Sequence, residues 1–502
     1  MGWRDQGIRR YASGLTICVL PPNLPARLDT IPMTFPNTSA IPDARTALEQ
    51  LLRQGGLSPQ TSQVKLDGDG STIDSPHRLS TGIGVAIAAQ AAAIAEIWRM
   101  RCGRLQDVSV DLEAAAHALN PANFLKQNGY PVTIRFGFTE PGNGFFSTDD
   151  GHWIYMAHGS PHLRNGLLDV LQCPNTKIGI AKAAAGWDAR KLESICQERG
   201  LPLVMVRTAA QWREHVHGKL LVGRPVVEIE RIRDGDPMPF KVAHRPLHGI
   251  RVLENTHILA GPGIGRCLAE QGADVLRIAP PRSSDPINFM IDTGFGKRAA
   301  FLDLDSPGDV ARYKDLAANC DVVVQSLRPG VLQRRGLGCA ELADASRGLV
   351  YVSISCYGLN DGPWSRYVGY DPLAQSAVGI CVDEGGANAP RVVPCTLLAD
   401  YLTSYLGTFG ALAALIRRAR DGGSYHVRIS LAQTCMWVQD LGLQTRQSIK
   451  PTENMKPRLL TMDSPFGELQ YLAPVAQYSE TPAYWDKPPV PLGASRSEWL
   501  RR

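Results

Sequence analysis

Three features along this chain have residue types and spacing suited to chemistry. The first is the run Ala260-Gly-Pro-Gly-Ile-Gly265, which follows the apolar stretch Ile250-Arg-Val-Leu253 and precedes the helical pattern Arg266-Cys-Leu-Ala-Glu-Gln271. A glycine-rich turn between strand and helix is where backbone N–H groups cradle phosphates, so a dinucleotide site is one candidate. The spacing is G-x-G-x-G, however, Pro262 removes one N–H, and the next strand ends at Arg277-Ile-Ala-Pro-Pro-Arg282 with no acid for a ribose diol. A tight turn without ligand is the other candidate. The second feature is Asp400, just ahead of an Ala-rich helix. An ordinary Asp, with a pKa of about 3.9, is ionised at neutral pH and can attack an electrophilic carbonyl. An Asp at a helix start is also a good N-cap, worth about 1 kcal/mol, and the residues by themselves favour the cap. The third is Gly369-Tyr370-Asp371, where a phenol of pKa about 10 is a poor proton exchanger near neutrality. His257 and His244 are isolated, as structural hydrogen-bonding histidines usually are.

These residues need a scaffold, and the chain is long enough for more than one core. It has 502 residues, whereas single cores stop growing near roughly 250–300. The composition, 44% hydrophobic and 20% charged, is that of a folded protein. A net charge of +5 without a Lys/Arg run gives no footing for nucleic acid. The eleven scattered cysteines contain no C-x-x-C pair, which predicts free thiols, a reducing compartment and hence a cytoplasmic location. No metal-ligand spacing occurs. The run Leu15 to Leu20 ends at Pro21-Pro22 and is too short for a leader, and Gly82 to Trp98 falls short of a membrane span and predicts a buried soluble helix.

From Pro246 onward strands and helices alternate. Ala273–Ile278, Ala300–Leu304, Asp321–Val324 and Leu349–Ile354 read as further strands, and a helix should start at Ser306-Pro307. This predicts an α/β fold with a doubly wound parallel sheet. There is also an internal echo. Residues 404–431 align without a gap on residues 85–112: an Ala-rich helix, a basic end, a Gly turn and a strand, with Arg418 on Arg99, Gly422 on Gly103 and Val427 on Val108. The echo predicts a duplication. Asp400 precedes Val427 by 27 residues, and the same step back from Val108 reaches Thr81, which has no carboxylate.

The runs Pro246-Leu-His-Gly-Ile-Arg-Val-Leu253, Ile258-Leu-Ala-Gly-Pro262, Leu268-Ala-Glu-Gln-Gly-Ala-Asp-Val-Leu276, Gly296-Lys-Arg-Ala-Ala-Phe-Leu-Asp-Leu304, Asp321-Val-Val-Val-Gln-Ser-Leu-Arg-Pro-Gly330, Tyr351-Val-Ser-Ile-Ser-Cys-Tyr-Gly358 and Ala399-Asp400 together resemble the family III (CaiB/BaiF) CoA-transferases, in family order. Ser464-Pro-Phe-Gly467 and Pro491-Leu-Gly493 are similar to its closing segment. Residues 149–156 and 200–204 are similar to its small domain, so the chain resembles a fusion of two incomplete copies.

The resemblance implies a Rossmann-like large domain, a smaller α+β domain, and an interlaced homodimer or a pseudo-dimer within one chain. It implies domains at 45–245, 246–440 and 441–502 after an irregular lead-in over 1–44. The implied activity is transfer of coenzyme A from an acyl-CoA to a carboxylic acid, with acyl-CoA as substrate and no resident cofactor, metal, nucleic acid or membrane. Asp400 is the implied nucleophile, forming an anhydride and then an aspartyl-CoA thioester. Ile258, Leu259, Ala260, Ser326 and Leu327 are implied backbone and apolar contacts to CoA. Lys297 and Arg334 are the implied cations for its phosphates, with Arg282 a substitute on the adenine side. An α-methylacyl-CoA racemase of the same family is the alternative, weakened by Tyr370 in place of the usual His. An NAD(P)-dependent oxidoreductase and a non-catalytic acyl-CoA-binding protein are the alternatives from other classes.

Overall fold

The computed structural model describes residues 42–58, 64–70, 72–132, 140–283, 285–358, 362–446 and 456–501. Most of the 1–44 lead-in thus lies outside the described residues. Residues Pro42–Arg502 form one compact unit.

Its frame is a seven-stranded sheet. In chain order the strands are β1 (Glu228–Arg233), β2 (Arg251–Asn255), β3 (Asp274–Ala279), β4 (Lys297–Phe301), β5 (Val322–Gln325), β6 (Val350–Ser355) and β7 (Ser424–Ser430). Across the sheet they run β4-β3-β2-β5-β6-β7-β1, parallel throughout except for β1, which pairs antiparallel with β7 at the edge. The central strands are continuous apolar runs because both faces are covered: all of Val322–Gln325 is buried, as is Val350–Ile354. At the edge the polar residues take over. Arg428 of β7 pairs with Glu228 at 3.0 Å and Glu230 at 2.8 Å, holding β1 in register. The expected α/β sheet is therefore present, and two of its details differ. The third strand is Lys297–Phe301 rather than Ala300–Leu304, and the segment expected as a Gly/Pro turn lies inside a helix.

Five helices matter for the site: α1 (Leu79–Cys102), α2 (Ala260–Glu270), α3 (Asp371–Val378), α4 (Leu398–Asp421) and α5 (Leu431–Asp440). The echoed helices α1 and α4 both have 24 residues, both end at a left-handed or positive-φ glycine (Gly103, Gly422), and pack against each other. A glycine on α4 also permits a close approach to α2, since a Cβ at Gly407 would meet Ile264 at 2.6 Å. α1 is long and apolar enough to cross a membrane by composition, yet nearly all of it is buried inside the protein.

The two halves interlock. β1, from the first half, completes the main sheet, and Gln477–Tyr478 near the C-terminus pairs with Val108–Ser109 of the first half. Strands Gly144–Ser147, Trp153–Met156 and Leu203–Met205 form a small antiparallel sheet backed by helices Pro161–Leu171 and Ala189–Glu198 around a separate core that includes Ile154, Leu167 and Leu203.

Candidate active site

The chain leaves β2 for β3 and β4 on one side, then returns to the other side of β2 for β5, β6 and β7. The order therefore reverses between β2 and β5, and the turns at their C-terminal ends diverge around a crevice, the usual ligand position in an open α/β sheet. The turn after β2 carries Ile258, Leu259 and the first residue of α2, Ala260; the turn after β5 carries Ser326 and Leu327. The His257 N–H donates to Ser326 Oγ at 3.2 Å and ties the two together. The five residues expected as backbone and apolar contacts are thus neighbours at one place.

The glycines of α2 lie against neighbouring elements. A Cβ on Gly263 would collide with Ser404 of α4, one on Gly265 with Glu254, and one on Gly261 would come within 2.6 Å of Thr256. They are small so that α2 can lie against α4 and β2. Pro262 is tolerated because it lies in the first turn, where N–H groups have no helical partner. No phosphate cradle of the dinucleotide kind is formed there.

Two β-branched residues adopt left-handed backbone conformations beside this crevice: Ile258, with φ +66°, and Thr396, with φ +68°. Each costs on the order of 1–3 kcal/mol, and such outliers cluster at functional sites. They flank one apolar cluster, in which Leu259 packs with Phe289, Leu397 and Tyr401, and Ile258 lies against it. Tyr401 follows Asp400, so the cluster joins the start of α4 to the β2 turn. Ser404 Oγ adds a second link, donating to the Ala260 carbonyl at 3.0 Å.

Asp400 occupies the third position of α4 and is only 8% exposed. It is not the cap. The N-cap residue, Leu397, has no capping side chain; a carboxylate oxygen of Asp371, the first residue of α3, accepts from the Asp400 N–H at 2.7 Å. Gln375 Nε2 donates to the other Asp371 oxygen. Burial and the neighbouring Asp371 carboxyl push the Asp400 carboxyl well above its ordinary range. The carboxyl is therefore harder to ionise than the ordinary Asp that was expected.

The cations differ from expectation as well. Lys297 is 2% exposed, and its Nζ donates to Glu254 Oε2 at 2.6 Å and to the Pro262 carbonyl. Burial lowers it to about 8. It is a strut beneath α2, on the inner side of the sheet edge, and presents no free charge to a phosphate. Arg334 is exposed on the short turn Gln333–Arg335, close to Gly330. Arg282 is held in surface pairs with Asp303 (3.0 Å) and Asp305 (2.8 Å). Ile380–Gly385 is a helix, with Glu384 paired to Arg446 at 2.9 Å. Thr81 stands at the third position of α1, the counterpart of Asp400, and is buried.

Two site residues escaped expectation. Asp371 was noticed only as part of the Gly-Tyr-Asp triplet, because nothing local connects it to a residue 29 positions later. Arg328, next after Leu327, is exposed, lies near Gly200 of the small sheet's domain, and its charge reaches the Tyr370 hydroxyl. Among the described residues no group of three or more His, Cys, Asp or Glu could hold a metal ion.

Comparison with known proteins matches residues 247–490 to the model described as CoA-transferase family III. An acetyl-coenzyme A transferase (nodX) of Hypoxylon pulicicidum is 39% identical over 201 residues, covering 39% of this chain and 34% of that protein. An acyl-CoA transferase of Gibberella moniliformis is 30% identical over 369 residues, covering 62% of this chain and 64% of that protein. This chain thus spans about a third of one relative and just under two thirds of the other. Among solved structures, a CaiB/BaiF family protein from Brucella suis matches with 27% identity and a TM-score of 0.36, over 39% of this chain and 56% of that one.

Proposed function

Because this chain belongs to CoA-transferase family III through residues 247–490, we propose that it moves coenzyme A from an acyl-CoA thioester to a carboxylic acid, with Asp400 as the covalent carrier. The observation that carries this is the position of the Asp400 carboxyl: at the start of α4, joined through Leu397 and Tyr401 to Leu259 in the crevice turn. The CoA arm runs along the backbone of Ile258–Ala260 and Ser326–Leu327, and the exposed guanidiniums of Arg334 and Arg328 meet its phosphates through charge-assisted hydrogen bonds.

In the first step the Asp400 carboxylate attacks the thioester carbonyl, and the C–S bond breaks with its electron pair going to the sulfur. The products are a mixed anhydride and the CoA thiolate. The thiolate then attacks the aspartyl carbonyl, releasing the first acid as its carboxylate and leaving an aspartyl-CoA thioester. The acceptor carboxylate repeats the sequence in reverse and leaves as its CoA thioester. The anhydride is open to hydrolysis, which the burial of Asp400, next in sequence to Tyr401 of the apolar cluster, limits.

The first half supports the same reading. Its small sheet reaches the site from within the chain, with Gly159 against the Tyr370 ring, so we read residues 45–245 as the part that a partner provides in an interlaced dimer. The ten described cysteines are free, as suits a cytoplasmic enzyme.

The test is to incubate the protein with a panel of acyl-CoA thioesters and free acids and to follow CoA exchange by mass spectrometry. Exchange should occur with at least one pair and fall by several orders of magnitude in Asp400→Asn. Hydroxylamine added during turnover should mark Asp400 as a hydroxamate. Near-normal exchange in a folded Asp400→Asn protein, or an adduct on another residue, would refute the assignment.

A further inference from the structure

We propose that Asp371 is the positioning residue for Asp400: its buried carboxylate caps α4 from a different helix and fixes the backbone from which the Asp400 side chain projects. The inference rests on Asp400 as the carrier.

Asp371 is fully buried, and its two oxygens are both committed. One accepts from the Asp400 N–H at 2.7 Å and the carboxylate also receives the Ala399 N–H. The other accepts from Gln375 Nε2. The orientation of the Gln375 amide is settled by its remaining bonds: Oε1 accepts from the Val393 N–H at 3.1 Å, and Nε2 also donates to the Thr396 carbonyl at 2.8 Å. Only an N–H therefore faces Asp371. The same glutamine grips Thr396, whose left-handed backbone delivers the chain into α4. Asp371, Gln375, Thr396 and the α4 N-terminus make one connected unit.

Three donors stabilise the ionised form of Asp371, whereas no hydrogen bond lowers Asp400. Neither carboxyl forms an ion pair among the described residues. The titratable groups facing Asp371 are Tyr155 from the small sheet, Cys356 at the end of β6, Cys381, Cys395, and Cys435 of α5. Cys356, Cys435 and Tyr401 face Asp400. Burial holds all of these thiols and phenols in their neutral forms at pH 7. The two carboxyls consequently compete for charge only with each other: Asp371 is pushed up to about 7, and burial and the Asp371 charge push Asp400 well above its ordinary range. Asp371 thus holds the Asp400 backbone in place and makes its carboxyl harder to ionise.

The experiment compares wild type with Asp371→Asn by the pH profile of kcat, by KM for acyl-CoA, and by hydroxylamine mapping of the adduct. Asparagine removes the charge and presents Gln375 Nε2 with a competing donor. The expected result is an acid limb displaced to lower pH by at least one unit and a kcat reduced at least tenfold, with KM changed less than threefold. An unmoved acid limb with an intact kcat, or a loss confined to thermal stability, overturns the inference while an adduct on Asp400 leaves the carrier assignment standing. An adduct elsewhere in wild type overturns both. Should Asp371→Asn not fold, infrared spectra serve instead: the protonated-carboxyl band that is lost in Asp400→Asn should titrate in wild type above the ordinary Asp range, and a band that titrates near pH 4 overturns the inference.

Discussion

Replacing Lys297 by Ala tests most directly whether that lysine is a strut or a phosphate ligand. Its ammonium is 2.6 Å from Glu254 Oε2, and the two side chains are 2% and 0% exposed. Removing one partner of such a pair leaves a carboxylate in a low-dielectric setting and typically costs about 3–5 kcal/mol. Arg277 moderates this, since its Nε lies 3.7 Å from the other Glu254 oxygen, but that arginine is already engaged with Asp285. A cost near 3 kcal/mol is therefore expected, a large share of the roughly 5–15 kcal/mol that holds most domains folded. The assay is urea unfolding of wild type, Lys297→Ala, Glu254→Gln and the double variant, with CoA affinity measured on each folded protein. The double variant should be less destabilised than the two single losses together by about 1–3 kcal/mol, because it leaves no orphaned charge. CoA affinity, measured where the proteins are folded, should change less than threefold. A Lys297→Ala protein of wild-type stability that has lost CoA binding would refute the structural role and restore the phosphate contact.

Gly263→Ala should destabilise by about 1–3 kcal/mol through the clash with Ser404, and pairing it with Ser404→Gly should recover much of the loss, as read by thermal melting. Thr396→Gly relieves a left-handed β-branched residue; net of the extra chain entropy of glycine, the urea midpoint should rise by an amount worth about 1 kcal/mol. The raised Asp400 carboxyl predicts a pH signature. Because the folded state holds its proton above the pH near 4 at which the unfolded chain releases it, the stability of wild type relative to Asp400→Asn should fall as pH rises above about 4; a pH-independent difference in urea titrations would contradict it. Thr81→Ala should leave turnover within twofold of wild type, since α1 offers no carboxyl at the position equivalent to Asp400.

The elements that were legible in the sequence are those whose signals are local. β3, β5 and β6 announce themselves as short apolar runs buried on both faces, the helix at Pro307–Ala318 has its proline at the first turn, and α1 and α4 share an Ala-rich pattern closed by Gly103 and Gly422. Their alternation already determined a doubly wound sheet, and it brought the crevice turns at Ile258 and Ser326 within reach of inference. What the tertiary structure alone decided depends on partners distant in the chain. The Gly261–Gly265 run has the composition of a turn, yet it is helical because the missing Cβ atoms let α2 settle against Ser404 and Glu254. Lys297 has the sequence of a solvent-facing or ligand-facing cation, and only the placement of Glu254 two strands away in the same sheet makes it an interior strut. Asp400 looks like its own helix cap until Asp371, brought from α3, takes that role and, together with burial, makes its carboxyl harder to ionise. Hydrophobic periodicity reports which face of an element is buried; it carries no information about which polar group from another element will meet it there, and in a buried site that meeting sets protonation and therefore reactivity.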